Sequence, residues 1–326
     1  MKDIGIAGLP YAGKTTLFEA ITRAGSSGGR ANQAVVDVPD SRVGVLAEME
    51  HSKKIVHAKV RFVDVPGGLT ATGIAEFRTT DALCIVLGAF TDDADPVREL
   101  ASVRAELVLA DLASIESGVE KARKRARGSK EAAREVEALE RAHALLDEEK
   151  LLRDGTFDEE ELKLLRGYGP LTLKPWVEVV NVAEGVNEPP AELPGAVAVS
   201  AALEAEVAGM DPLEAAELLA GFGIDKPGLD RVVDGCYRAL DLITFLTTGE
   251  DETRAWEVRR GATAPEAAGV IHSDLQRGFI RAEVIAYQDL IDAGSWDSAK
   301  KEGHLRVEGK DYVVQEGDAL NIRFAV

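Results

Sequence analysis

The chain has 326 residues, 45% of them hydrophobic, with 38 basic against 57 acidic side chains for a formal charge of −19. That length allows two or three domains and a large core, and that charge excludes a protein that coats nucleic acid through its whole surface, so any such contact must be a local basic patch. No apolar run approaches a membrane span, no signal peptide precedes the first apolar run, and Cys84 and Cys236 sit among apolar neighbours without metal-ligand spacing, so the expectation is a cytoplasmic protein with two core thiols.

Ile4-Gly5-Ile6-Ala7 predicts a buried strand and Leu17 to Ile21 a helix. Between them, Gly8-Leu9-Pro10-Tyr11-Ala12-Gly13-Lys14-Thr15-Thr16 is a G-x-x-x-x-G-K-[ST] phosphate loop. Gly8 and Gly13 permit backbone angles closed to other residues, so the N–H groups from Tyr11 to Thr16 can turn onto a phosphate chain at a helix N-terminus. Lys14 is expected to reach the β- and γ-phosphates and the Thr15 hydroxyl to ligate Mg²⁺. Small residues from Gly25 to Arg30 then stand where a first switch region belongs, before a short strand at Ala34 to Val38. No threonine occurs between Thr22 and Thr70, although such regions usually offer one to the metal and to the attacking water.

Val60 to Asp64 predicts the next strand, ending in the D-x-x-G of Asp64-Val65-Pro66-Gly67. Asp64 fits a magnesium ligand acting through a bound water, and the Gly67 N–H is available to the γ-phosphate. Another strand follows at Ala82 to Leu87. Residues 99–166 lack proline, are rich in charge and repeat apolar side chains at helical spacing, which predicts a long helical hairpin turning near Arg127-Gly128-Ser129, its second helix running to about Leu152. Six basic side chains fall between Lys121 and Lys130, at that tip, which makes an RNA phosphate surface the natural partner, against a solvated helix face as the alternative.

Trp176 to Val180 predicts a strand ending in Asn181-Val182-Ala183-Glu184, and Ala196 to Val199 another ending in Ser200-Ala201-Ala202. In this order after a phosphate loop, Asn181, Val182, Glu184, Ser200 and Ala201 are the expected base-reading edge. The domains read as 1–98 with 167–226 for nucleotide binding, 99–166 for the inserted hairpin, and 227–326 for a linker helix and a last module. In that module, strands are expected at Leu242 to Thr248, Arg254 to Val258, Phe279 to Ile285, Tyr312 to Val314 and Asn321 to Val326, with a helix starting at Thr263-Ala264-Pro265. Five short strands and one helix suggest a β-grasp module, with His272 a surface or packing residue. The fold class is thus α/β, a P-loop domain with an inserted α-helical hairpin and a C-terminal β-grasp domain.

Leu242 to Trp256, Gly261 to Ser273 and Gly278 to Val284, together with Gly8-Leu9-Pro10, Ala110-Asp111-Leu112, Leu171 to Pro175 and Asn181 to Glu184, resemble the YchF or Obg-like ATPase family over essentially the whole chain. The resemblance implies ATP as ligand, a TGS domain at the C-terminus and association with the ribosome; no membrane role and no DNA specificity are expected. The chain departs from that family where Tyr11 replaces a usual asparagine, where the first switch has no threonine, and where the second switch is reduced to Gly68 to Gly73. A histidine-bearing loop is also missing, since no histidine occurs between His57 and His143. After D-x-x-G stands Gly68, or Leu69 if one residue is inserted, and neither side chain can orient water by hydrogen bonding. Slow Mg²⁺-dependent hydrolysis is expected from Lys14, Thr15, Asp64 and Gly67, with a nucleotide-sensing adaptor of negligible turnover as the alternative.

Overall fold

The computed structural model describes residues 1–23, 32–65, 67–125 and 130–325. The expected first switch segment, Pro66 and the hairpin turn at Arg127 to Ser129 therefore lie outside the described residues, as does the side chain of Lys130. Tertiary contacts divide the chain into two compact units, one of residues 2–35 and 61–232, the other of Met1, 36–60 and 233–326.

The first unit begins with β1 (Lys2–Ala7), α1 (Lys14–Arg23) and the start of β2 (Gln33–Asp37). The chain then enters the other unit through α2 (Ser41–Met49) and β3 (Ile55–Val56) and returns along β4 (Lys59–Asp64). It continues with α3 (Ala71–Phe77) and β5 (Ala82–Ala89), then the hairpin helices α4 (Pro96–Arg125), α5 (Lys130–Asp147) and the short α6 (Glu159–Arg166). β6 (Trp176–Val182), β7 (Val197–Val199), α7 (Ala201–Val207), α8 (Pro212–Gly221) and α9 (Gly228–Ala239) follow. The sheet order is β2-β4-β1-β5-β6-β7, with β1, β5, β6 and β7 parallel. Its central strands are covered on both faces, and every side chain from Leu83 to Leu87 is fully buried, as a parallel sheet requires. The carboxyl ends of β1, β4, β6 and β7 all carry motif residues, which is where an open α/β sheet offers its ligand crevice.

Asp95 receives the Arg98 N–H at 2.9 Å and Pro96 opens α4 with its φ already set. Leu100, Val103, Leu107, Ile115 and Val119 of α4 join Leu139, Ala142 and Leu146 of α5 in one core continuous with the sheet. The second hairpin helix stops earlier than its pattern predicts, at Asp147, because Glu149 turns left-handed (φ 57°) and aims Leu151 and Leu152 into that core.

The second unit is a sheet of order β11-β10-β12-β8-β9-β3, built from β8 (Leu242–Thr247), β9 (Thr253–Arg259), β10 (Phe279–Ala286), β11 (Arg306–Glu308) and β12 (Asp318–Phe324) with the early strand β3. α10 (Ala264–Ile271) packs on it, opened by a capping box between Thr263 and Glu266, and α11 (Ser273–Arg277), α12 (Tyr287–Ala293) and α13 (Trp296–Glu302) complete the unit. His272 is exposed and its Nδ1 accepts the Asp274 N–H at 3.1 Å, so it caps α11. Two strand assignments are corrected here. Tyr312 to Val314 makes only an isolated bridge from Val313 to Thr263, and the edge strand is Arg306–Glu308, whose single apolar residue, the exposed Val307, gives no strand pattern. Residues 36–60, placed by sequence within the nucleotide domain, belong to this unit: Ile55 and Val56 pair with Thr253 and Arg254, and Ser52 Oγ donates to Gly249 O at 2.7 Å.

Candidate functional site

The loop after β1 holds its shape through positions that exclude side chains. At Gly8 (φ 149°) a Cβ would stand 2.3 Å from Val86 O, and at Gly13 (φ 91°) it would stand 2.1 Å from Asn181 Nδ2. Asn181 is the brace beneath the loop: its Nδ2 donates to Ala12 O at 3.1 Å, while its Oδ1 accepts the Ala201 N–H at 3.0 Å. Ala12, Asn181, Ser200 and Ala201 are all buried, and Ser200 Oγ caps α7 by accepting the Leu203 N–H. Asn181 is thus brought against the phosphate loop itself, and Ala201 is tied to it through Asn181. Val182 is turned into the core, only 3% exposed, so it can offer a base its backbone but not its side chain. Glu184 lies just beyond the end of β6 and is exposed.

Lys14, Thr15, Asp64 and Gly67 meet in one cleft of about 510 Å³ with Gly68, Leu69 and Glu106. Lys14 Nζ donates to Leu9 O at 2.6 Å. Burial holds its pKa below the usual lysine range, while the Asp64 and Glu99 carboxylates pull it back up. Burial raises the Asp64 carboxyl, and Lys14 opposes that shift. Both directions mark charges held partly out of water, the condition in which a lysine and a phosphate attract strongly. The donor set fits Mg²⁺: a hydroxyl and a carboxylate are hard oxygen ligands. Among the described residues no group of three or more His, Cys, Asp or Glu gathers to cage a metal.

On the other side of the loop a cleft of about 470 Å³ is lined by Leu9, Tyr11, Gly88, Phe90 and Glu99. Tyr11 adopts left-handed backbone (φ 70°) with its ring 95% exposed, a conformation unfavourable for any side chain but Asn or Asp. Glu99 Oε2 accepts the Gly88 N–H at 2.8 Å, tying the end of β5 to the first turn of α4. Sequence reasoning missed Phe90 and Glu99. Gly88 lies opposite Asn181 in the register of β5 and β6, so the end of β5 belonged to the crevice by strand order alone.

A family profile named for the C-terminal part of YchF GTPases, described as a protein of unknown function (DUF933), matches residues 242–325. The chain is 40% identical to the ribosome-binding ATPase YchF of Haemophilus ducreyi and 37% identical to that of Bacillus subtilis, covering 99% of both chains in each case. The first of these alignments runs over 358 positions against 326 residues here, so this chain carries gaps relative to that protein. A solved structure, that of the Schizosaccharomyces pombe YchF GTPase, superposes with a TM-score of 0.89 at 29% identity, covering 99% of this chain and 97% of that one. With a phosphate loop, a D-x-x-G strand end and relatives of this identity along nearly its whole length, the chain belongs to the YchF family of P-loop proteins.

Proposed function

We propose that this protein is a Mg²⁺-dependent ATPase of slow turnover that acts in association with the ribosome. The observation that carries the reading is the convergence of Lys14, Thr15, Asp64 and Gly67 on one cleft at the end of β1. Curated bacterial relatives are called ribosome-binding ATPases, which supports the same activity for this chain. The loop N–H groups and Lys14 bind and orient the triphosphate, and Thr15 with Asp64 is the pair that would hold Mg²⁺. The ion, when bound, neutralises charge on the β- and γ-phosphates. Asp64 would act on the ion through a water, and the Gly67 N–H would be available to the γ-phosphate.

ATP is favoured over GTP because Glu184 replaces the aspartate of a guanine-reading Asn-Lys-x-Asp, so its carboxylate stands one methylene further out and two-point acceptance of guanine is displaced. With Val182 buried, a lysine there would itself be buried, so Glu184 is the position at which base choice is testable. The test is calorimetric titration with ATP and with GTP in the presence of Mg²⁺, followed by single-turnover hydrolysis with and without ribosomes. ATP binding at least as tight as GTP, with measurable turnover, supports the reading; clearly tighter GTP binding overturns the base assignment.

The second reading, a nucleotide-sensing adaptor without useful turnover, is favoured by Gly68 and Leu69, neither of which can orient water from the position after D-x-x-G. Unchanged ATP after prolonged incubation with ribosomes would select it. The functional division follows the proposed domains: the unit around β1 binds nucleotide, α4 and α5 form the inserted hairpin, and the C-terminal sheet is a TGS-type β-grasp module. The hairpin tip and that module are the proposed ribosome or RNA contacts. The cellular setting is cytoplasmic, with no specific DNA; no described helix is long and apolar enough to cross a membrane.

A further inference from the structure

We propose that Glu106 of α4 orients the attacking water, the task that the second switch leaves without a side chain. The proposal deepens the ATPase reading and rests on it. Glu99, Ser102 and Glu106 stand at i, i+3 and i+7 on α4, one stripe of the helix surface, and this stripe borders the phosphate loop on both of its sides. Glu99 is spent on the Gly88 N–H. Glu106 lies about 10 Å further along the helix, at 1.5 Å per residue. There it lines the cleft that holds Lys14, Thr15, Asp64 and Gly67.

Among the side chains of the described residues that line that cleft, elimination leaves Glu106. A water that attacks phosphorus needs a hydrogen-bond acceptor beyond the phosphate. Gly67 and Gly68 have no side chain, Leu69 is apolar, and Lys14 only donates. Thr70 Oγ1 already receives the Gly73 N–H as the cap of α3, and a neutral hydroxyl cannot take a proton from water as a carboxylate can. Asp64 and Thr15 are the pair assigned to the metal. Glu106 is exposed, and among the described residues it makes no hydrogen bond or ion pair, whereas Glu135, Glu140 and Glu161 of the same hairpin are each paired with an arginine. Lys14 on the same wall offsets the repulsion between this carboxylate and the phosphates.

In the step, the water oxygen forms a bond to the γ-phosphorus as the bond from that phosphorus to the β–γ bridging oxygen breaks. The electron pair of the broken bond leaves on ADP. Glu106 accepts the hydrogen bond from the water and takes its proton, then releases it to the phosphate or to solvent. The products are ADP and inorganic phosphate, and Glu106 ends as it began.

The test uses the full chain and its Glu106→Gln and Glu106→Asp variants. A non-hydrolysable ATP analogue with Mg²⁺ is titrated by calorimetry, and single-turnover hydrolysis of ATP is followed at one fixed pH. Expected are analogue affinities within about twofold of the unaltered protein and a rate lower by about 10² in Glu106→Gln, the lower range for losing a positioned base. Glu106→Asp recovers part of that rate. A Glu106→Gln rate like that of the unaltered protein overturns the proposal while leaving the ATPase reading standing. Loss of analogue affinity in both variants also overturns it, because Glu106 then serves binding. If the unaltered protein binds the analogue yet leaves ATP intact, the ATPase reading fails and Glu106 falls with it.

Discussion

Gly13 has no room for a side chain, because the amide of Asn181 occupies the place of a Cβ and the backbone is left-handed there. Gly13→Ala is therefore expected to push Asn181 off Ala12 O and to lose nucleotide affinity together with stability, which calorimetry and urea unfolding would read in parallel. Lys14→Ala should separate the two effects. Lys14 meets a carbonyl and the cleft, not the core, so the fold persists while ATP affinity falls about ten- to a hundredfold, the worth of one charge-assisted hydrogen bond. Unchanged affinity in that variant would remove the phosphate-loop assignment. Tyr11 offers the opposite case. Its ring is exposed and its backbone left-handed, so Tyr11→Asn is expected to raise unfolding free energy by up to about 1 kcal/mol, since asparagine tolerates that conformation. The loop was legible in the sequence because its chemistry is written in consecutive residues. Glu99 and Glu106 were not legible, since only the three-dimensional path of α4 brings an inserted helix past the loop.

The hairpin helices are anchored by a buried carboxylate rather than by apolar packing alone. Asp111 of α4 is fully buried; it accepts from the N–H groups of Leu171 and Thr172 at 2.9 and 2.7 Å and from Thr172 Oγ1 at 2.8 Å, and it pairs with Arg78 at 3.0 Å. Asp111→Ala strands those donors and a guanidinium that is mostly shielded from water, and should lower stability by about 3 kcal/mol as read by denaturant unfolding. At the other end, the basic tip is weaker than its composition suggests. Arg123 pairs with Glu140 and Arg125 with Glu135, leaving Lys121 and Lys124 exposed without an ion pair among the described residues. Lys121→Glu with Lys124→Glu should accordingly weaken ribosome co-sedimentation and flatten its dependence on salt by about 0.7 to 0.9 in logarithmic slope for each phosphate no longer neutralised. Unaltered pelleting at low salt would make the tip a solvated helix end. The helices of this hairpin announced themselves by periodicity. β11 and β3 did not, because one is an edge of three residues with a single apolar side chain and the other a pair whose partner, Thr253–Arg259, lies some two hundred positions away.

For the molecule as a whole, alkaline pH probes the C-terminal unit. Burial and the hydrogen bond that Tyr312 donates to Asp318 push the Tyr312 hydroxyl up to about 12. A raised folded value means that the stabilisation is fully present below pH 10, the unfolded value, and is lost as pH rises from there to about 12. Tyr312 is partly exposed, so the effect should be of the order of 1 kcal/mol after screening, and Tyr312→Phe should flatten the decline in melting temperature over that window. The alternation of two units along one chain has a practical corollary for anyone dissecting this protein. A fragment cut at residue 227 or 242 carries five strands of the C-terminal sheet but not β3, so β9 becomes a bare edge with unpaired amides, and Thr253 loses its Ser52 partner. Such a fragment is expected to self-associate through that edge, and adding residues 36–60 back as a separate peptide should restore a monomer.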